Sequence, residues 1–120
     1  MPKHSEIEAK IRQAVLVIER RLNDPSLKPS TLARLVGLDI FRFSREFKRI
    51  VGKTCSEYII SRRIEQAKKL LSRNDLLVKE VADRVGFDDP NYFTRCFTRL
   101  VGRAPSEFRN SRTKSHSTRK

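Results

Sequence analysis

Apolar residues near the amino terminus follow a helical period. They fall at Ile7, Ile11, Ala14, Val15, Ile18 and Leu22. Steps of three and four residues place such side chains on one face of an amphipathic α-helix. The following Asn23-Asp24-Pro25 segment predicts where this helix ends.

Two shorter helices are predicted next. One starts at Ser30, whose hydroxyl suits an N-cap, and stops at Gly37. The other begins near Asp39 and ends at Gly52. Its core stripe, at i, i+4 and i+7, consists of Phe43, Phe47 and Ile50.

A longer helix is predicted from Thr54 to Asn74, a stretch without Gly or Pro. Thr54 and Glu57 have the spacing of a capping box. At 1.5 Å per residue, this helix would be about 30 Å long. Because no segment reads as a strand pair with turn signals, the predicted fold is all-α.

The sequence contains a duplicated unit, since the stretch from Leu32 to Tyr58 recurs from Val81 to Phe108 with one extra residue. The matching pairs include Ala33 with Ala82, Gly37 with Gly86, Asp39 with Asp88, Phe43 with Phe93, Arg45 with Arg95, Phe47 with Phe97 and Gly52 with Gly102. In each copy, Gly can take a positive φ at a corner, and Ala four residues earlier allows two helices to approach closely. Each copy therefore predicts a helix-turn-helix.

Charge adds a class of partner to this picture. The chain has 27 Lys and Arg against 14 Asp and Glu, a net charge of +13. Such a balance favours a polyanionic partner, either nucleic acid or an anionic membrane surface. The apolar run from Ala14 to Ile18 is too short to span a membrane. The cations lie opposite Phe stripes in a duplicated corner, which disfavours membrane-surface binding.

The outward faces of the two Phe-striped helices are rich in Arg and lack acidic residues, with Glu46 expected toward the core side. The first face consists of Phe41, Arg45, Lys48 and Arg49, flanked by Arg42 and Ser44. The second, opposite Phe93, Phe97 and Leu100, consists of Asn91, Arg95, Thr98 and Arg99, flanked by Tyr92 and Thr94. Arg can bond guanine, Asn can bond adenine, and an exposed Phe can contact a thymine methyl. These faces predict double-stranded DNA binding.

Catalysis and metal binding are not favoured by the sequence. Cys55 and Cys96 form no CxxC pair, and His4 and His116 lie near opposite ends of the chain. Neither a phosphate-binding Gly loop nor a zinc-ligand spacing is present. We therefore expect no enzyme activity, no metal and no cofactor, with both thiols reduced in a cytosol.

The second copy, GFDDPNYFTRCFTRLVGRAPSEFR (Gly86 to Arg109), resembles the carboxyl-terminal signature of the AraC/XylS family of bacterial transcription regulators. The region from about Ile7 to Arg109 is similar to the double helix-turn-helix DNA-binding domain of that family. The resemblance implies seven helices, with the third and sixth as recognition helices. It also implies a transcription regulator, more specifically an activator that contacts RNA polymerase, acting in the bacterial cytoplasm at the nucleoid.

The residue pattern and the resemblance together predict a site. The expected base-reading residues are Phe41, Arg42, Ser44, Arg45, Asn91, Tyr92, Thr94 and Arg95. The expected phosphate contacts are Lys48, Arg49, Thr98 and Arg99. Pro90 stands where some members of the family have a polar side chain, so we expect it to read no base.

The predicted organisation has two helix-turn-helix subdomains, 1–53 and 75–109, a connecting helix, 54–74, and a disordered basic tail, 110–120. Because the connecting helix approaches the 34 Å or so that separate successive major grooves, we expect a monomer to fill two adjacent grooves. The chain is expected to be either a short stand-alone member or an excised carboxyl-terminal domain. The alternative is a basic protein that coats DNA or RNA regardless of sequence. It leaves unexplained why the two faces differ in Ser, Asn, Tyr and Thr.

Overall fold

A computed structural model describes residues 4–73 and 75–110 of the chain, the side chain of His4 excepted. These residues form helices and no strands, as predicted. The helices are α1 (His4–Arg20), α2 (Pro29–Val36), α3 (Ile40–Val51), α4 (Cys55–Leu71), α5 (Val78–Arg84), α6 (Pro90–Val101) and α7 (105–110). Of the predicted tail, only Asn110 is described, and it is helical; residues 111–120 and His116 lie outside the described part.

The chain divides into two compact units, with the boundary inside α4. Unit 1 is Met1–Ile60 and unit 2 is Ser61–Lys120. The beginning of the helix that the sequence set apart as a connector thus packs with the first helix-turn-helix, and the remainder packs with the second. Among the described helices, none is both long and apolar enough to cross a membrane.

Unit 1 is built on the apolar face predicted for α1. Ile7, Ile11 and Ile18 are almost completely buried, and they pack in one cluster with Phe43 and Phe47 of α3. The two Phe ring centroids lie 5.7 Å apart. Burying these large side chains fixes α3 against α1 and α2 and leaves the opposite side of α3 exposed.

The start of α2 corrects the predicted N-cap at Ser30. The helix begins at Pro29, Lys28 occupies the N-cap position, and no side chain caps it. Pro suits the first helical position because its fixed φ matches a helix and its missing N–H needs no partner there. The predicted stop at Gly37 is confirmed: Gly37 has a φ of 75°, and its N–H donates to the Arg34 carbonyl.

Helices α3 and α6 each have an Asp side chain as N-cap. The Asp39 carboxylate accepts a hydrogen bond from the Arg42 N–H at the start of α3. In α6 the Asp89 carboxylate accepts from the Asn91 N–H. Asp89 therefore takes the place of Asp39, and the extra residue of the second copy is Asp88, which the sequence alignment had matched to Asp39.

The start of α4 is a complete capping box, as predicted. The Thr54 N–H donates to Glu57 Oε1 at 2.9 Å, and the Glu57 N–H donates to Thr54 Oγ1 at 3.1 Å. Its end differs, because the helix stops at Leu71 rather than continuing to Asn74. The Arg109 side chain donates to the Leu71 and Arg73 carbonyls at 2.9 and 3.1 Å, satisfying acceptors at this helix end.

Unit 2 repeats the Phe core of unit 1 with one departure. Phe93, Cys96 and Phe97 are completely buried, and Phe97 packs edge-on against Phe108 at 5.5 Å. Leu100, predicted to continue this stripe, is 49% exposed. It lies in the last turn of α6, past the three side chains that fill the core, whereas Ile50 at the matching place in unit 1 is half-buried.

Candidate nucleic-acid interface

The outer side of α3 presents most of the predicted residues of the first face to solvent. Phe41 is 76% exposed, which is unusual for a large aromatic side chain. The other exposed members are Ser44, Arg45, Lys48 and Arg49, while Arg42 is half-buried. Because Phe43 and Phe47 anchor the inner side of the helix, these side chains are held outward by the packing of unit 1.

One acidic side chain reaches this face. Glu46 is half-buried, and its Oε1 accepts a hydrogen bond from Arg49 Nε at 2.7 Å and forms an ion pair with Arg49 Nη2, also at 2.7 Å. The sequence placed Glu46 toward the core side and did not include it in the face. Its carboxylate partly offsets the charge of Arg49, so Lys48 and Arg45 contribute more of the positive potential there.

The outer side of α6 is less basic and more polar. Asn91, Arg95, Thr98 and Arg99 are exposed, Tyr92 is 41% exposed and Thr94 is half-buried. The Thr94 hydroxyl donates to the Pro90 carbonyl at 3.1 Å, and the Thr98 hydroxyl donates to the Thr94 carbonyl at 2.8 Å. With their hydrogens used inside the helix, both hydroxyls remain available chiefly as acceptors.

The Tyr92 ring contacts an aromatic ring and a guanidinium. Its centroid lies 5.9 Å from that of Phe87, and the Arg95 guanidinium carbon lies 5.7 Å from the Tyr92 centroid. A hydrogen bond with the Cys96 side chain is the largest of the effects that raise the pKa of Tyr92. This side chain is therefore engaged by its neighbours before any ligand binds.

Each helix-turn-helix corner also receives a basic side chain that sequence reasoning missed. In unit 1, Lys10 Nζ of α1 donates to the Val36 carbonyl at 2.7 Å, beside Gly37. In unit 2, Arg63 of α4 lies over the Phe87 ring at 5.8 Å and is only 7% exposed. Lys10 borders the apolar face of α1. Arg63 stands four residues after Ile59 and four before Ala67, within the apolar face of α4, so a cation inside an apolar stripe was the signal that could have found it.

Nothing in the described residues resembles a metal centre. No group of three or more His, Cys, Asp or Glu side chains gathers anywhere in the described ranges. Burial raises the pKa of the Cys55 thiol to about 12, so this thiol is protonated and unreactive near neutral pH.

Comparison with known proteins agrees with this geometry. A family described as a helix-turn-helix domain matches residues 32–111, the part of the chain that contains both copies of the duplicated unit. The chain belongs to the AraC/XylS family. The resemblance seen in the sequence is thereby confirmed, and AraC/XylS proteins are DNA-binding transcription regulators rather than enzymes.

Characterised AraC/XylS relatives are longer than this chain. It is 35% identical over 106 residues to the arabinose operon regulatory protein of Escherichia coli K12. The aligned stretch covers 88% of this chain and 36% of the relative. It is 44% identical over 63 residues to the transcriptional activator RhaR of Cronobacter sakazakii, covering 52% of this chain and 22% of the relative. The chain thus spans about a third or less of the length of these curated relatives.

Solved AraC/XylS-type structures share the fold. The carboxyl-terminal domain of the response regulator yesN from Fusobacterium nucleatum superposes with a TM-score of 0.78 at 31% identity, covering 82% of this chain and 95% of that one. The DNA-binding domain of AdpA, solved in complex with a target DNA, superposes with a TM-score of 0.83 at 27% identity. The superposition covers 90% of this chain and 96% of the AdpA chain.

Proposed function

We propose that this chain is the sequence-specific, double-stranded-DNA-binding part of a bacterial transcription regulator that activates its targets. The observation that carries the proposal is the matched placement of Arg45 and Arg95. Each is exposed on the outer side of a helix whose inner side is fixed by two completely buried Phe rings. A rigid helix with an exposed Arg on its outer side is the arrangement that reads guanine in a major groove.

On α3, the proposed base-reading residues combine three kinds of contact. Arg45 supplies paired donors for guanine, Phe41 supplies an apolar surface for a thymine methyl, and Ser44 supplies a hydroxyl. Arg42, half-buried beside them, is placed at the flank. Lys48 and Arg49 lie toward the end of the helix, where we assign them to phosphates.

On α6, Asn91 and Arg95 are the proposed principal readers, for adenine and guanine respectively. Thr94 is the third proposed reader, an acceptor because its hydrogen is already donated within the helix. Tyr92, also predicted as a reader, stands beside Arg95 with its ring near the Arg95 guanidinium. Arg99 and Thr98 are assigned to phosphates. Pro90, which has neither donor nor acceptor on its side chain, is assigned no base.

The way in which the two helices share one duplex is part of the proposal. We expect them to enter successive major grooves, so that one copy of the chain covers an asymmetric site without a second copy. Contact with RNA polymerase and a place in the cytoplasm at the nucleoid belong to the same proposal. They are supported by the relatives, whose names describe them as operon regulators and transcriptional activators.

Selection of bound duplexes from a random pool tests the proposal directly. The recovered sequence should bind at least about a thousandfold more tightly than random DNA at physiological salt. Footprinting on it should show two protected stretches about 10 bp apart. Equal affinity for recovered and random duplexes would leave only a coating protein, and a single protected stretch would contradict the two-groove arrangement.

A matched variant separates the two kinds of contact. Lys48→Ala should weaken binding to recovered and random duplexes by the same factor, and it should lower the slope of log affinity against log salt by about one. A loss confined to the recovered duplex would instead assign Lys48 to base reading.

A further inference from the structure

A stack of four side chains in unit 2 begins inside the fold and ends on the outer side of α6. The guanidinium carbon of Arg63 lies 5.8 Å from the Phe87 ring centroid, and the Phe87 and Tyr92 centroids are 5.9 Å apart. The guanidinium carbon of Arg95 then lies 5.7 Å from the Tyr92 centroid. Both cation–ring distances are within the roughly 6 Å over which a ring face attracts a cation.

Burial changes along this stack. Arg63 and Phe87 are 7% and 5% exposed, whereas Tyr92 is 41% exposed. Phe87 also packs edge-on against Phe93, which is completely buried, with centroids 5.2 Å apart. The inner half of the stack is therefore fixed by the core of unit 2, and it gives the Tyr92 ring a rigid surface to rest on.

The conformational freedom of the Arg95 side chain before binding affects how tightly it can bind a base. An exposed Arg has several rotatable bonds, and fixing them on binding costs conformational entropy. A guanidinium already attracted to a ring face has lost part of that freedom, so less remains to be lost when it binds. We propose that Tyr92 is a positioning residue that holds Arg95 ready to donate to guanine, rather than a residue whose main role is to contact DNA itself.

Unit 1 lacks the side chains for such a stack. Leu38 and Arg42 stand at the positions that match Phe87 and Tyr92. Neither has an aromatic ring, so no equivalent stack can support Arg45 from these positions. The inference rests on the proposed function, and it adds that the two recognition arginines differ in how far they are ordered before DNA arrives.

A double-mutant cycle on the selected duplex tests this role. Tyr92→Leu should weaken binding to that duplex by about tenfold and change binding to random DNA by less than about twofold. In an Arg95→Ala background, Tyr92→Leu should have almost no further effect, because the ring then has nothing to position. If the two losses multiply instead, Tyr92 acts independently of Arg95 and the inference is wrong.

The conservative variant supplies a rescue. Tyr92→Phe keeps the ring and removes the hydroxyl, so it should retain the affinity and base preference of the natural chain. A loss as large as that of Tyr92→Leu would show that the effect depends on the hydroxyl, through DNA or through Cys96, and not on the ring, which would overturn the proposed role of the ring in positioning Arg95. Leu100→Ala, an exposed apolar change on the same helix, is the matched control for general effects on α6.

A measurement without DNA keeps the inference separate from the proposed function. Nitrogen-15 relaxation of the Arg Nε–H groups should show higher order for Arg95 than for Arg45 in the unbound protein. Tyr92→Leu should reduce the order of Arg95, and Leu100→Ala should not. Equal order for Arg95 and Arg45 in the natural chain would refute the stack. Failure to discriminate between selected and random duplexes would refute the proposed function alone.

Discussion

Unit 1 and unit 2 bury the inner sides of α3 and α6 in the same way and present different side chains on the outer sides. Phe43 and Phe47 in one unit match Phe93 and Phe97 in the other, and all four rings are completely buried. The outer side of α3 carries Arg42, Arg45, Lys48 and Arg49, whereas that of α6 has Arg95 and Arg99 among Asn, Tyr and Thr side chains. Duplication has therefore kept the packing while the two exposed surfaces diverged.

The basic side chains that contact the two helix-turn-helix corners also differ in what they bind. Lys10 reaches a backbone carbonyl in unit 1, whereas Arg63 reaches an aromatic ring in unit 2. A hydrogen bond to the backbone fixes the turn itself, and a cation over a ring fixes side chains that continue onto α6. The comparison shows that a repeated backbone can be held by different interactions, with different consequences for the exposed Arg.

The shared Phe core gives the largest expected effect. Phe47→Ala and Phe97→Ala should each lower the free energy of unfolding by about 3–5 kcal/mol, because each leaves a cavity where a completely buried ring was. Urea denaturation followed by circular dichroism measures the loss. Leu100→Ala is the control and should change stability by less than about 0.5 kcal/mol. A small loss for only one Phe would show that the matching rings do not have the same role in the two separate cores.

The two exposed arginines proposed as base readers give the next largest effect. Arg45→Ala and Arg95→Ala should each weaken binding to the selected duplex by about 1–3 kcal/mol and relax base preference at one position. Competition titrations with single-base variants of the duplex measure both quantities. An equal loss on random DNA would make the affected Arg a phosphate contact and would separate the roles of the two units.

The helix starts at Thr54 and Ala104 differ by one hydroxyl. Glu57 and Glu107 each accept a hydrogen bond from the N–H three residues earlier. Only the first start has the second bond, in which the Thr54 hydroxyl oxygen accepts from the Glu57 N–H. Thr54→Ala should cost about 1 kcal/mol of stability, and Ala104→Thr should raise stability by up to a similar amount. Thermal unfolding of the two variants checks this, and a loss on adding the hydroxyl at 104 would show that the starts are not equivalent.

The smallest expected effect is the pH dependence of the Glu57 cap. Hydrogen bonds from the Thr54 backbone and side chain lower the pKa of Glu57 in the folded chain. Its contribution to stability is therefore fully present above the unfolded pKa of about 4.3 and is lost as the pH falls through the lower folded value.

Glu57→Gln tests the sign of this dependence. The variant should be less stable than the natural chain at neutral pH, and the difference should shrink at acid pH. Urea midpoints measured from pH 7 downward follow it, with the exposed Glu65→Gln as a control outside any cap. A difference that grew on acidification would contradict the assignment.

The corrections to the predicted fold have a common physical origin. Periodicity placed Leu100 on the core stripe, but whether the last turn of a helix is covered depends on the elements around it. The predicted end of α4 at Asn74 overlooked Arg109, which binds the Leu71 carbonyl from 38 residues away. The misplaced N-cap at Ser30 was a local matter, since Pro29 competed with it and occupies the first helical position.

The sequence by itself determined the helical repeat, the buried Phe pairs, the turn at Gly37 and the cap at Asp39, because spacing and intrinsic backbone preference act within a few residues. It also indicated which residues would form the outer faces of α3 and α6. The Glu46–Arg49 pair lies at i and i+3 within α3, so local spacing already allowed it. Only the tertiary structure decided that Arg63 and Phe87 underlie Tyr92 on α6, because Arg63 belongs to a helix distant in sequence and spacing within one helix does not encode contacts between helices.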